Sequence, residues 1–240
     1  LVLLTIAVPV QLGGPWVSVA WAAQGTVLIW LSLTLRMWHL RLFSLGIFAI
    51  LVLRLLAFDT AIDLDNFQIF LNYRMLAFAS AVGALYISAY LLIKIEDLTY
   101  DWESAVVPVL LAGANFLTLW VFSFEMVDAV DSEIVKVTGQ AAYYLKSLSL
   151  SLLWAIYAVA ALVLGIFRRW RMVRLASLCL LAIPILKLFL VDSFQLGQGY
   201  RIVAFLALGC ILLVGGFLYQ RYSAAIKGFL FEDQASSPGG

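Results

Sequence analysis

Residues 18–59 read SVAWAAQGTVLIWLSLTLRMWHLRLFSLGIFAILVLRLLAFD, and the pattern recurs 133 residues further along the chain, over residues 151–192. Of the 42 aligned positions, 14 are identical. The polar identities matter most, because a composition rich in leucine and alanine does not produce them by chance. They pair Ser18 with Ser151, Trp21 with Trp154, Arg36 with Arg169, Arg41 with Arg174, Ser44 with Ser177 and Asp59 with Asp192, and Arg54 falls on Lys187.

A second stretch of the repeat follows at a smaller offset. With the offset reduced to 127, Tyr73 and Arg74 fall on Tyr200 and Arg201. We therefore predict that one structural unit occurs twice, over residues 16–95 and 146–222, and that the second copy is six residues shorter in one loop.

The composition indicates an integral membrane protein. Hydrophobic residues make up 65% of the chain and charged residues 12%, and the mean hydropathy is +1.04. A soluble domain could not expose so much apolar surface to water. Runs long enough to cross about 30 Å of hydrocarbon at about 1.5 Å per residue lie at residues 16–35, 39–58, 74–95, 104–124, 146–167, 174–191 and 201–219.

These spans must be helical, because lipid offers no hydrogen-bond partner to an open strand edge. We predict an all-α, polytopic transmembrane helical bundle that forms a single transmembrane domain over residues 1–240. It has seven complete spans, and residues 1–8 are the end of a truncated eighth. Because the chain opens within an apolar run and without Met, we expect it to be part of a longer protein.

The basic residues predict the orientation. Short links between spans 1 and 2 and between spans 5 and 6 carry Arg36, His39, Arg41, Arg168, Arg169, Arg171 and Arg174. By the positive-inside rule these links and the C-terminus are cytoplasmic, in a multi-pass protein of the cell inner membrane. A period of 133 residues contains four spans, an even number, so the two tandem repeats are parallel and related by an axis along the membrane normal.

Two segments depart from the spanning pattern. Residues 125–145 place Met126, Val130, Ile134 and Val137 at helical spacing with acids between them, which predicts an external helix lying on the interface. Residues 232–240 are polar and rich in Ser, Pro and Gly, which predicts a disordered tail.

Arg54 and Lys187 are the sharpest functional candidates, because a cation within a span is costly unless it is paired or reaches water. In one interpretation they are depth anchors that reach outward and form structural ion pairs with Asp59 and Asp192. In the other, two outward-facing pockets bind an anion such as a lipid head group. Their residues would be Arg54, Tyr73 and Arg74 in the first copy and Lys187, Tyr200 and Arg201 in the second.

The sequence gives little support for a metal site, a nucleotide site or a catalytic site. His39 is the only histidine, and no cysteine lies near it, so neither a metal site nor an acid–base pair can be built around it. The chain shows no nucleotide-binding glycine loop, nucleophile elbow or zinc spacing. We predict no cofactor, no metal, no catalytic residue and no nucleic-acid partner, and an enzymatic function ranks third.

The stretches 9–21 (PVQLGGPWVSVAW), 186–192 (LKLFLVD) and 200–205 (YRIVAF) resemble a large bacterial family known only as predicted membrane proteins, a domain of unknown function. The resemblance covers nearly the whole chain and implies the C-terminal part of a longer protein with many tandem spans. It implies architecture and topology, and no reaction.

Two function classes remain. The first is transport or handling of an anionic lipid or envelope component, with membrane lipids as the partners. The alternative is a structural scaffold that packs against other membrane-protein subunits or against the missing N-terminal part. The midplane positions of the spans are almost wholly apolar, with Gln24 a rare exception, which counts against an ion channel.

Overall fold

The computed structural model describes residues 5, 7, 11–62, 67–94, 105–132, 139–167, 171–187 and 198–235. Every regular element within these residues is helical, and none of them forms a strand, so the all-α prediction is confirmed. The elements are α1 (Trp16–Thr34), α2 (Trp38–Arg54), a π-helix (Leu55–Asp59), α3 (Tyr73–Lys94), α4 (Val106–Asp131), α5 (Gln140–Phe167), α6 (Arg171–Lys187) and α7 (Gln198–Ala235).

Five helices are long and apolar enough to cross a membrane. They are α1, α2 with its π-helical extension, α3, α4 and α5, with 19 to 28 residues each. They coincide with the first five predicted spans. Helix α6 has 17 described residues, and the apolar part of α7 runs over Arg201–Phe217. The sixth and seventh spans therefore stay predictions.

The chain divides into two compact units, residues 1–135 (unit 1) and 136–240 (unit 2). In unit 1, α1 packs against α2 and α3, and α3 packs against α4. In unit 2, α5 packs against α6 and α7. The two predicted repeats thus lie one in each unit. Each unit has its own apolar core, centred on Ile29, Leu51 and Phe78 in unit 1 and on Ala155 and Ala158 in unit 2.

A glycine sets the close contact between α1 and α2. The ring of Phe48 lies directly over Gly25, so that a Cβ atom at position 25 would be only 2.7 Å from the ring. The Ser44 hydroxyl donates a hydrogen bond of 2.8 Å to the carbonyl of Gly25. This bond satisfies the buried serine and aligns the two helices.

The ends of α4 and α7 differ from the sequence-based expectation. Residues 125–131 continue α4 and residues 140–145 belong to α5, whereas residues 133–138 of the predicted interfacial helix lie outside the described residues. Two of the three acids in residues 125–131, Glu125 and Asp128, bind Arg74 of α3 and so hold this end of α4 against α3. Helix α7 extends to Ala235, so the first four residues of the predicted tail are helical, and residues 236–240 lie outside the described residues.

Candidate functional site at the charged helix ends

Arg54, at the C-terminal end of α2, is held by neighbours on both sides. Its Nε atom donates to Ser18 Oγ (3.2 Å), and its Nη2 atom donates to the carbonyl of Gly14 (3.0 Å). Asp59 Oδ2 lies 3.6 Å from Nε and accepts a hydrogen bond from Ser18 Oγ. The Arg54 side chain is 22% exposed and that of Asp59 9%, so this ion pair is partly exposed to solvent.

The π-helix explains why Arg54 and Asp59 meet. In an ordinary α-helix two residues five positions apart lie on different faces, whereas π-helical bonding from i to i+5 widens the turn by one residue. The segment Leu55–Asp59 adopts this geometry directly after Arg54. Its wider turn carries the Asp59 carboxylate back towards the guanidinium.

Arg74 forms a second and more deeply buried cluster in unit 1. Its Nε and Nη2 atoms both donate to Glu125 Oε1, at 3.1 and 2.7 Å. Its Nη1 atom donates to the carbonyl of Thr60 (3.0 Å) and to Asp128 Oδ2. Arg74 and Glu125 are 3% and 2% exposed. One guanidinium therefore pairs with two carboxylates, and the cluster has no cationic capacity left over.

Two further groups donate hydrogen bonds to the Glu125 carboxylate. Asn72 Nδ2 donates to Oε1 (2.7 Å), and the backbone N–H of Phe70 donates to Oε2 (3.0 Å). Thr60 links this cluster to the Arg54 pair, because it follows Asp59 in sequence and binds Arg74 through its carbonyl. The Thr60 hydroxyl also accepts a bond from Trp120 Nε1 (3.1 Å).

Lys187 occupies the corresponding place in unit 2, at the C-terminal end of α6. Its Nζ atom donates to Ser147 Oγ (2.7 Å), to the Ser147 carbonyl (3.0 Å) and to Ser151 Oγ (3.1 Å). An ammonium group has three donors, and here three neutral oxygens accept them. Asp192, the predicted partner of Lys187, lies outside the described residues.

The contacts of Arg54 and Lys187 have the same sequence spacing. Each cation reaches back 36 residues to a serine hydroxyl, Ser18 or Ser151. Each also reaches back 40 residues to a backbone carbonyl, that of Gly14 or Ser147. Since the 133-residue offset pairs all three positions, the correspondence extends from the sequence to individual hydrogen bonds.

The remaining predicted site residues are distributed as follows. Tyr73 is 71% exposed, unlike its neighbour Arg74. Arg201 is half-buried near the start of α7, and the side chain of Tyr200 lies outside the described residues. The structure thus brings Arg54 together with Asp59, and it places Arg74 in a separate cluster with Glu125 and Asp128.

Comparison with known families assigns the chain. A family model described as "Predicted membrane protein (DUF2339)" matches residues 36–222. The chain belongs to this family. The match covers Arg54, Arg74 and Lys187, and the description names no activity. Comparisons with curated proteins and with solved structures found no match.

The two units of this family member carry opposite charge. Residues 1–135 contain 5 Lys and Arg against 11 Asp and Glu, a net charge of −6. Residues 136–240 contain 10 against 3, a net charge of +7. A local excess of one sign attracts ligands of the other. The two units therefore differ in the sign of their net charge.

The sequence contained a signal for the missed partners of Arg74. Glu125 and Asp128 are three residues apart, a spacing that puts both carboxylates on one face of a helix. Their position in a polar stretch instead suggested an interfacial helix. Of the serines at 147 and 151, Ser151 bonds backwards to its own helix, donating to the Ser147 carbonyl (3.0 Å). Their acceptor role towards Lys187 appears only when α5 and α6 pack together.

Proposed function

We propose that this chain is a multi-pass domain of the inner membrane that holds an anionic lipid head group, or an envelope component of the same chemistry, at Lys187. The observation that carries the proposal is the placement of the Lys187 ammonium at the end of α6, where oxygens of Ser147 and Ser151 hold it at 2.7 to 3.1 Å. On the side that the proposed topology assigns to Lys187, unit 2 carries four basic residues against one acid, Asp192, and this positive excess favours an anion. The four are Lys136, Lys146, Lys187 and Arg201.

Unit 1 provides the contrast. An anion that approached Arg54 would compete with Asp59, which already lies 3.6 Å from the guanidinium. An anion at Arg74 would have to displace two carboxylates from a buried cluster. We therefore assign Arg54 to the depth-anchor and ion-pair role. We propose the ligand-binding role for Lys187, where a ligand anion would compete with Asp192 in a unit that carries an excess of positive charge.

The proposal includes the finer topology, namely seven spans built from two parallel repeats with a cytoplasmic C-terminus. The equivalent hydrogen bonds of Arg54 and Lys187 support the duplication. The packing of α3 and α7 supports it as well. Ala77 and Ala81, which are fully buried in unit 1, correspond at the 127-residue offset to Ala204 and Leu208, which are buried in unit 2.

The orientation predicts which loop is accessible from outside. In a background with Cys179→Ala and Cys210→Ala, Leu71→Cys should react with a membrane-impermeant maleimide added to intact cells, because residue 71 is 82% exposed and lies in a link that the proposed topology puts outside. Met37→Cys, which is 54% exposed in a cytoplasmic link, should react only after the cells are opened. The reverse pattern would refute the orientation.

The binding proposal is tested with the full chain in nanodiscs of phosphatidylcholine containing a minor fraction of phosphatidylglycerol. Native mass spectrometry counts the phosphatidylglycerol that each chain retains. Lys187→Gln should lower the retained anionic lipid about fivefold, because one basic residue contributes roughly 1 kcal/mol to such contacts. Arg54→Gln is the matched control and should leave the retained lipid unchanged.

Asp192→Asn distinguishes binding from a purely structural role. If a ligand anion and Asp192 compete for Lys187, this variant should retain more phosphatidylglycerol than the native chain. Lower stability of Asp192→Asn without any change in retained lipid would refute the binding proposal. It would favour the alternative, a scaffold that packs against other membrane proteins, in which Lys187 only anchors the helix.

A further inference from the structure

A shallow apolar groove lies between α5 and α7 in unit 2, next to the residues that hold Lys187. It is lined by one serine and four apolar side chains, namely Leu148, Ser151, Leu152, Ala204 and Leu208. Ser151 belongs both to the groove and to the surroundings of the ammonium, because its hydroxyl accepts a hydrogen bond of 3.1 Å from Lys187 Nζ. The groove and the ammonium therefore share a side chain.

The groove extends from the depth of the ammonium into the helical unit. Helix α7 begins at Gln198, on the side that the proposed topology puts outside. Leu208 therefore lies deeper than Ala204 by four residues, about 6 Å along the helix axis. On α5, Leu152 directly follows Ser151, which holds the ammonium. A molecule with its anionic group at Lys187 and its apolar part directed inwards matches this order of residues.

The corresponding place in unit 1 is closed. The residues of α1 and α3 that align with three of the groove residues are fully buried. They are Ser18, Ala77 and Ala81, the counterparts of Ser151, Ala204 and Leu208. A leucine thus replaces an alanine on α7 at the point where unit 2 has its groove. The two aligned cations, Arg54 and Lys187, therefore differ in the apolar surface beside them.

We propose that this groove binds an acyl chain of an anionic glycerophospholipid whose phosphate lies at Lys187. The inference rests on the proposed function and adds the class of ligand, a lipid with a chain instead of a soluble anion. Charge complementarity selects the occupant, because a cation at the outer end of an apolar groove suits a molecule with an anionic group followed by a chain.

Close packing provides the additional affinity of the chain. Bulk lipid is as apolar as the leucine side chains of the groove, so the hydrophobic effect does not favour one place over the other. A chain that lies against Leu148, Leu152 and Leu208 instead gains many dispersion contacts with ordered side chains. The anion at Lys187 holds the chain in place for these contacts.

Photolabelling tests which residues the chain contacts. The full chain is reconstituted in phosphatidylcholine nanodiscs with a minor fraction of phosphatidylglycerol that carries a diazirine in the first methylenes of one acyl chain. A parallel sample carries the same diazirine chain on phosphatidylcholine and reports contact with bulk lipid. Proteolysis and mass spectrometry after illumination give the ratio of the two labels at each residue.

We expect this ratio to be about fivefold higher at Leu152 and Leu208 than at Leu206, because only the anionic lipid is held by the ammonium. Leu206 is the matched control, since it lies at the same depth of α7 and is 68% exposed. The native chain is sufficient for this measurement. Equal ratios at the groove residues and at Leu206 would overturn the proposal.

Two variants separate the groove from the head-group site. Leu152→Trp fills the groove from a half-buried position and should lower the retained phosphatidylglycerol about as much as Lys187→Gln. Leu206→Trp is its control and should leave the retained lipid unchanged. If only Lys187→Gln lowers the retained lipid, head-group binding stands and the groove proposal is wrong. If Lys187→Gln has no effect, the proposed function itself fails, and the groove proposal fails with it.

A soluble anion is the alternative ligand of the ammonium. Glycerol phosphate added in large excess should not displace the retained phosphatidylglycerol, because it lacks the acyl chain that the groove holds. Displacement by glycerol phosphate would show that the head group alone determines binding, and it would overturn the groove proposal while leaving the anion site at Lys187 intact.

Discussion

Replacing Arg74 with glutamine is expected to lower the free energy of unfolding by about 3–5 kcal/mol, the usual cost of removing one partner from a buried ion pair. The substitution leaves the carboxylates of Glu125 and Asp128 close together, at an end of unit 1 where Glu125 is only 2% exposed. Glutamine also supplies fewer donors than the guanidinium, which makes hydrogen bonds to Glu125, Asp128 and Thr60.

The helix dipoles make the contact between α3 and α4 depend still more on Arg74. Arg74 lies in the first turn of α3, and Glu125 and Asp128 lie near the C-terminal end of α4. Each charge therefore occupies the unfavourable end of its own helix. The attraction between the two helices offsets this cost, so removal of the cation should loosen the contact between α3 and α4.

Reversible unfolding of the purified chain in detergent would measure the effect. Arg54→Gln is the control in the same unit, and it should cost only about 1 kcal/mol because the Arg54 pair is partly exposed and shares its aspartate with Ser18. The double variant Arg74→Gln/Glu125→Gln should recover part of the loss, as expected for directly coupled residues. A loss for Arg74→Gln no larger than that for Arg54→Gln would contradict the assigned role.

The second large effect is expected at the contact between α1 and α2. Gly25→Ala would place a methyl group 2.7 Å from the ring of Phe48, which is itself only 3% exposed. Overpacking of this kind costs about 1–3 kcal/mol. Gly46→Ala on α2 is the control, because nothing lies within 4 Å of its added Cβ atom. That variant should stabilise the chain by roughly 0.5–1 kcal/mol through the higher helix propensity of alanine.

The second repeat suggests the compensating change. At the 133-residue offset Gly25 corresponds to Ala158 and Phe48 to Leu181, so the larger residue on α5 is matched by a smaller one on α6. The double variant Gly25→Ala/Phe48→Leu should therefore recover most of the stability that Gly25→Ala loses. If both variants unfold with the same free energy, the clash with Phe48 is not the cause of the loss.

Much of the architecture could be predicted from the sequence because it depends on local composition. A run of about 20 apolar residues must be helical in lipid, wherever its neighbours lie. For this reason the first five predicted spans coincide with α1 to α5 to within a few residues at most ends. The family membership likewise follows from linear patterns, which cover residues 36–222.

The partners of the charged residues could not be predicted in this way. Arg74 binds Glu125, which lies 51 residues away in sequence. This pairing depends on which faces of α3 and α4 meet. Asp59 reaches Arg54 through a π-helical turn, a backbone geometry that hydropathy does not encode.

The sequence by itself thus determined the membrane class, the helices and the alignment of Arg54 with Lys187. Only the tertiary structure decided what each cation binds. The reason is physical: spanning is favoured by the summed transfer energy of each segment, whereas an ion pair requires two side chains from separate helices to come within about 4 Å. In the described part of the chain, Arg54 contacts Asp59, Ser18 and Gly14, and Lys187 contacts Ser147 and Ser151.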